Sequence, residues 1–196
     1  MIPLKKLTLF ALLLSFIFPS YLSAQVYEAA TENSVMMTVT GTSTLHGWTV
    51  TANEVKDVPS SITISDEKTI DDFRFGVVIN SMDGGRGATM NTKIKNALQA
   101  TEHPVITYEQ SETAKITDQQ EDGTFTLVSK GVLKMVGQEK PVSITVQGQQ
   151  TAEGLILKGS HPLTFSEFDI EPPSAMFGQI VCGDDIAVNF EFKYSK

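Results

Sequence analysis

Residues 165–194 read FSEFDIEPPSAMFGQIVCGDDIAVNFEFKY. The last part of this stretch alternates. Ile186, Val188, Phe190 and Phe192 fall on one face, and Ala187, Asn189, Glu191 and Lys193 on the other. A period of two, with β-branched and aromatic residues on one side, marks a half-buried strand. The strand ends just before the chain does, so its partners are already made when it arrives. It is expected to close a sheet on itself. Upstream, Pro172 and Pro173 exclude helix and central strand from residues 171–178. Met176 and Phe177 are large apolar residues within that loop. They are expected to cover an apolar surface, either the end of a core or the mouth of a cavity.

Working outward, the rest of the chain is strand-like. Residues 34–42, 48–52 and 62–65 are rich in Val, Ile, Met and Thr. Phe73, Phe75, Val77 and Ile79 alternate again. Strands are expected at 105–111, 114–117, 124–135, 140–147 and 155–160, separated by turn signals such as Glu121-Asp122-Gly123 and Gly137. One helix stands out. In ATMNTKIKNALQAT, residues 88–101, Met90, Ile94, Ala97 and Leu98 recur at helical spacing, and His103-Pro104 stops the helix. The pattern predicts an all-β fold, an antiparallel β-barrel of about eight strands with one short α-helix. A two-sheet sandwich fits the same periodicity.

The N-terminus reads as an export signal. Lys5 and Lys6 precede an apolar run from Leu7 to Phe18, and Leu22-Ser23-Ala24 offers small residues for cleavage before Gln25. The run is short for a membrane span, though an uncleaved anchor is the competing reading. No later stretch is apolar and long enough to cross as a helix. The expected division is a signal peptide at 1–24 and one domain at 25–196, periplasmic or secreted.

Removing residues 1–24 from a chain of 196 leaves 172 residues, ample for one core. It takes away two lysines and no acids, so the formal charge moves from −8 to about −10. That balance argues against nucleic acid, and against docking on anionic lipid through net charge. Cys182 is the single cysteine, so an exported fold must stand without an intramolecular disulfide. It reads as a small hydrophobe. The chain without its leader is expected to fold under reducing conditions.

The residues supply no catalyst. His46, His103 and His161 lie far apart, each beside Gly or Pro, and no pair has metal-ligand spacing. There is no Gly-x-Ser-x-Gly elbow, and Gly84-Gly85-Arg86-Gly87 lacks the Lys-Ser/Thr of a phosphate loop. Asp71-Asp72 and Asp184-Asp185 read as solvated strand ends. Physics alone leaves a β domain with enough apolar side chains to line a pocket.

Four blocks add a resemblance. They are TGTSTLHGWTVTANEVK (40–56), GRGATMNTKIKNALQATEHPVITYE (85–109), GVLKMVGQEKPVSITV (131–146) and SEFDIEPPSAMFGQIVCGDDIAVNFEF (166–192). In order and spacing they resemble the YceI-like family of exported, lipocalin-like proteins, over nearly all of the chain beyond residue 24. The sequence departs from the family pattern at Asp57, Met90, Asn91, Lys93 and Cys182. The resemblance implies a tunnel holding a long polyisoprenoid lipid, an isoprenoid quinone or a relative, with no catalysis and no cofactor beyond that lipid. The alternative is an envelope interaction module with a packed barrel. A homodimer is a further expected partner, and no metal is expected.

Candidate tunnel residues are Trp48, Phe75, Val77, Met90, Ile94, Leu98, Phe125, Leu127, Phe168, Met176 and Phe177. About half are expected to be core only, since any barrel interior needs large residues. The helix and the Met176-Phe177 loop are expected to face the cavity together and gate it. On that reading Leu98→Asp destabilises the fold and Met176→Asp weakens lipid retention.

Overall fold

The computed structural model describes residues 24–29 and 34–196. Residues 1–23 of the expected signal peptide lie outside these residues. Four long strands form the spine: β11 (Thr124–Met135), β12 (Gln138–Gln150), β13 (Gly154–Thr164) and β15 (Ile180–Ser195), of 12, 13, 11 and 16 residues. They pair antiparallel in chain order, β11 with β12, β12 with β13 and β13 with β15. Val136-Gly137 joins β11 to β12, with φ of 50° and 72°. Two positive φ values in a two-residue hairpin belong to a type I′ turn, which prefers Asn-Gly. Val136 is the unexpected residue, since a β-branched side chain disfavours that region.

At its two ends this spine is completed by different strands. At one end β15 pairs with β1 (Gln25–Ala29) through Tyr194 and Ser195. The ring then runs through β5 (Ser61–Ile64), β6 (Thr69–Ile70) and β10 (Ala114–Thr117) back to β11 at Thr126 and Leu127. This closed ring has eight strands. At the other end β15 pairs with β2 (Val35–Ser43), and β2 with β3 (Trp48–Ala52). From β11 the sheet continues there to β9 (Val105–Gln110) and β7 (Arg74–Val78). Two-residue bridges stitch the seam: β4 (Val55–Lys56) to β7, and β8 (Met82–Asp83) to β3. A further one, β14 (Ser174–Ala175), pairs with the start of β15.

The described residues hold fifteen strands, and the closed ring of eight matches the barrel of about eight expected from the sequence. The two-residue bridges β4, β6, β8 and β14 are strands whose backbone bonds leave no periodic trace in sequence. β15 also begins at Ile180, six residues before the clean alternation. A register shift between Cys182 and Ile186 hides its first part. Helix α1 (Ala88–Ala97) is the one α-helix among the described residues. Two 3₁₀ turns cover Ile79–Ser81 and Ser166–Phe168.

The spine has one unpaired seam. β12 and β13 pair only from Gln147 to Gln150 against Leu155 to Lys158. Beyond that, Pro141 on β12 and Pro162 on β13 each remove a donor. Proline within a sheet sits on edges, and both prolines lie where these two strands have already separated.

Candidate functional site

The barrel interior divides along its strands. On β15, Ile186, Val188 and Phe190 line an apolar cavity of about 540 Å³, while Phe192 and Tyr194 are buried below it. On β13, His161 and Leu163 line it and Leu155 and Leu157 do not. On β11, Leu133 and Met135 line it and Phe125 and Leu127 do not. The change falls at an aromatic layer. Phe73 lies edge-on to Phe192 at 5.2 Å between centroids, Phe75 stacks on Tyr108 at 5.4 Å, and Phe190 sits 5.7 Å from Phe192. Phe75 and Phe190 are the floor of the cavity. One end of the barrel is hollow and the other is packed.

Phe125, Leu127 and Phe168, expected in the tunnel, are buried at 3%, 2% and 1% exposure but do not reach the cavity. Phe125 lies flat across Gly148, where any Cβ would collide with its ring. That bare backbone draws the ring into the packed end. Trp48, Phe75, Val77, Met90, Ile94 and Leu98 do come together on the cavity wall. Trp48 covers Gly41 on the paired strand in the same way, stacks on Phe165 at 6.5 Å and donates from Nε1 to Thr42 O at 2.8 Å.

Met176 and Phe177 require a correction. They are 65% and 110% exposed and do not line the cavity. Their neighbours Ser174, Ala175 and Ile180 do. Ala175 pairs with Ile180, so Met176 and Phe177 form the tip of a hairpin. Gly178 N–H donates to Ala175 O at 3.1 Å, and Met176 and Phe177 have φ of 49° and 54°. This turn aims both side chains outward. The backbone of the hairpin, and not its large side chains, closes the cavity.

Three segments frame the mouth, where lining residues are exposed: Leu45 to Gly47, Gly85-Arg86 and the 174–180 hairpin. The hairpin ties the first of them to α1. Thr44 N–H donates to Val181 O at 3.0 Å and Thr44 Oγ1 to Gln179 O at 3.2 Å. Lys93 Nζ donates to Ser174 O at 2.6 Å, joining α1 to the hairpin. Ile94 on α1 and Leu98 at its C-cap are buried at 8% and 7% exposure, and Asn91 Oδ1 accepts from Gly84 N–H at 2.9 Å.

The electrostatics of the wall are one-sided. Its charged side chains are Arg86 and Lys93; the wall carries no Asp or Glu, although acids outnumber bases in the chain by 23 to 15. Burial holds the His161 imidazole below its ordinary value, with the Glu167 carboxylate pulling the other way. Burial pushes the Cys182 thiol up, away from thiolate chemistry. Among the described residues no group of three or more His, Cys, Asp or Glu could hold a metal ion. What the arrangement can do is desolvate an apolar molecule. The sequence reading missed much of this wall, including Met37, Val39, Ile106 and Leu163. Each lies on an alternating strand, and no local signal distinguishes a residue facing a void from one facing a neighbour.

A family model described as a YceI-like domain matches residues 25–194. No curated protein matches the sequence. Among solved structures, Burkholderia cenocepacia BcnA superposes with a TM-score of 0.60 at 12% identity, over 83% of this chain and 96% of that one. A domain from Saccharophagus degradans, described as polyisoprenoid binding, gives 0.60 at 11% identity, over 89% and 99%. The Campylobacter jejuni YceI protein gives 0.57 at 13% identity, over 75% and 84%. At these identities the likeness is one of fold.

Proposed function

The chain belongs to the YceI-like family, and from that premise we propose that it binds a long-chain polyisoprenoid lipid, a quinone or a relative, in the apolar cavity. On this reading it carries the lipid outside the cytoplasm and performs no chemistry on it. The observation that carries the reading is the cavity itself, about 540 Å³ of largely apolar space that ends on Phe75 and Phe190. Its volume falls within the roughly 300–1,000 Å³ of small-molecule pockets. The Saccharophagus domain, described as polyisoprenoid binding, supports the ligand class. Each methylene buried contributes about 0.8 kcal/mol, so several isoprene units offset association costs of roughly 4–15 kcal/mol.

The competing reading, an interaction module with a filled barrel, has the packed end in its favour, where Tyr27, Ile62, Ile70, Leu155 and Phe192 leave nothing exposed. The hollow end counts against it. The deciding experiment is mass spectrometry of an organic extract of protein purified from its own host without delipidation. A polyisoprenoid near one per chain is the expected result. Repeated preparations with no stoichiometric lipid would sink the carrier reading.

A further inference from the structure

The hairpin tip has a property that ligand enclosure does not explain. A type I′ turn with φ above zero at both central positions is made most readily by Asn-Gly. Here those positions hold Met176 and Phe177, which gain no burial within the chain in return. Leu45 is 67% exposed and Val181 37%, on the segments that hydrogen-bond to each other beside this tip. Half of the large hydrophobics that stand exposed among the described residues therefore gather at the mouth of the cavity. The cations of the cavity wall, Arg86 and Lys93, belong to the same mouth, and the wall itself carries no carboxylate. Apolar side chains at a tip, with basic residues set behind them, match the layered chemistry of a bilayer surface: acyl chains inside, anionic headgroups outside.

We propose that the mouth is a membrane-docking surface, with Phe177, Met176 and Leu45 entering the acyl boundary and Arg86 and Lys93 meeting anionic phospholipid headgroups. Net charge disfavours such docking in any other orientation, so it also turns the mouth toward the bilayer. The inference rests on the carrier reading for its purpose, because a ligand with little solubility in water passes most directly between the cavity and a lipid phase. It does not rest on that reading for its geometry.

The test is flotation of the chain starting at Gln25, which carries every described strand and helix, with phosphatidylcholine vesicles that contain or lack phosphatidylglycerol. Nile red uptake into the cavity is measured in parallel. The unsubstituted chain is expected to float, more so with phosphatidylglycerol and less so at high salt. Phe177→Asp is expected to reduce vesicle binding about tenfold or more, because a charge cannot enter the acyl boundary cheaply. Arg86→Gln is expected to reduce binding to phosphatidylglycerol vesicles by about fivefold. Phe177→Asp, whose site lies outside the cavity wall, should take up Nile red as the parent does. Failure of the parent to float, or flotation of Phe177→Asp equal to the parent, overturns the docking surface and leaves the tip to a protein partner. Flotation that depends on Phe177, in a chain that takes up no Nile red, upholds docking and overturns the carrier reading instead.

Discussion

Two buried tyrosines below the cavity floor differ in one hydrogen bond. Tyr108 OH and Ser129 Oγ lie 2.6 Å apart in the packed interior, whereas the Tyr194 hydroxyl has no partner among the described residues. Burial raises the pKa of both phenols, and Ser129 offsets part of the rise at Tyr108. Removing one member of a buried pair strands the other, at about 1–3 kcal/mol, whereas removing an unpaired hydroxyl relieves a desolvation cost. Denaturant titration should therefore find Tyr108→Phe destabilised by about 1–2 kcal/mol and Tyr194→Phe unchanged or more stable. The second residue-scale prediction concerns His161. Its folded pKa lies below its ordinary value of 6.5, so below that pH the unfolded chain binds more protons than the folded one. Stability therefore falls as the pH drops from about 6.5 through the folded pKa. The carboxylates held low by hydrogen bonds, Asp122 and Asp184, lose their contribution only at pH values below their ordinary 3.8. Thermal melts between neutral pH and pH 5 should show the parent losing stability and His161→Gln losing less. Equal losses in the two chains would mean that this imidazole does not titrate against the fold.

Helix α1 is ten residues long, and its N-cap Gly87 offers no side chain to the first amides. Such a helix is marginal alone and holds its place by packing. Ile94 and Leu98 supply that packing, and Lys93 adds the bond to Ser174 on the hairpin. These two attachments should separate by experiment. Leu98→Asp places a carboxylate in the cavity wall and is expected to cost at least the ~2–5 kcal/mol of a buried leucine truncation. Lys93→Met removes one half-exposed hydrogen bond, so its effect on stability should stay below about 1 kcal/mol. It should instead speed amide exchange in α1 and release of bound lipid. If Lys93→Met leaves both rates unchanged, the bond does not hold the mouth. The hairpin plays its part through backbone at Ser174 and Ala175, which is why the gate expected of Met176 and Phe177 falls to neighbouring residues.

The molecule as a whole is a barrel whose spine is completed differently at each end, and hollowness follows from that difference. In the packed end β1, β5, β6 and β10 add Tyr27, Ile62, Ile64, Ile70 and Ile116 to the interior. In the hollow end β2, β3, β7 and β9 stand around space. Filling that space from the wall should abolish ligand and spare the fold: Ala52→Phe is expected to lose Nile red uptake and extractable lipid while its Tm holds. Retained uptake would place the binding volume elsewhere. A chain without its first 24 residues should melt at the same temperature with and without reductant, since Cys182 has no partner to lose. By itself the sequence determined the strands, the helix that follows Gly87, the lack of an intramolecular disulfide and the family, because period-two and helical spacing, cysteine number and ordered motifs are local properties of the chain; periodicity left barrel and sandwich open. Six of the candidate tunnel residues, Trp48, Phe75, Val77, Met90, Ile94 and Leu98, share the cavity wall. The tertiary structure alone decided that Phe125, Leu127 and Phe168 are core and that Met176 and Phe177 face outward. Alternation says which face of a strand is buried. What that face meets, a side chain or a void, depends on strands distant in sequence, and no residue encodes it alone.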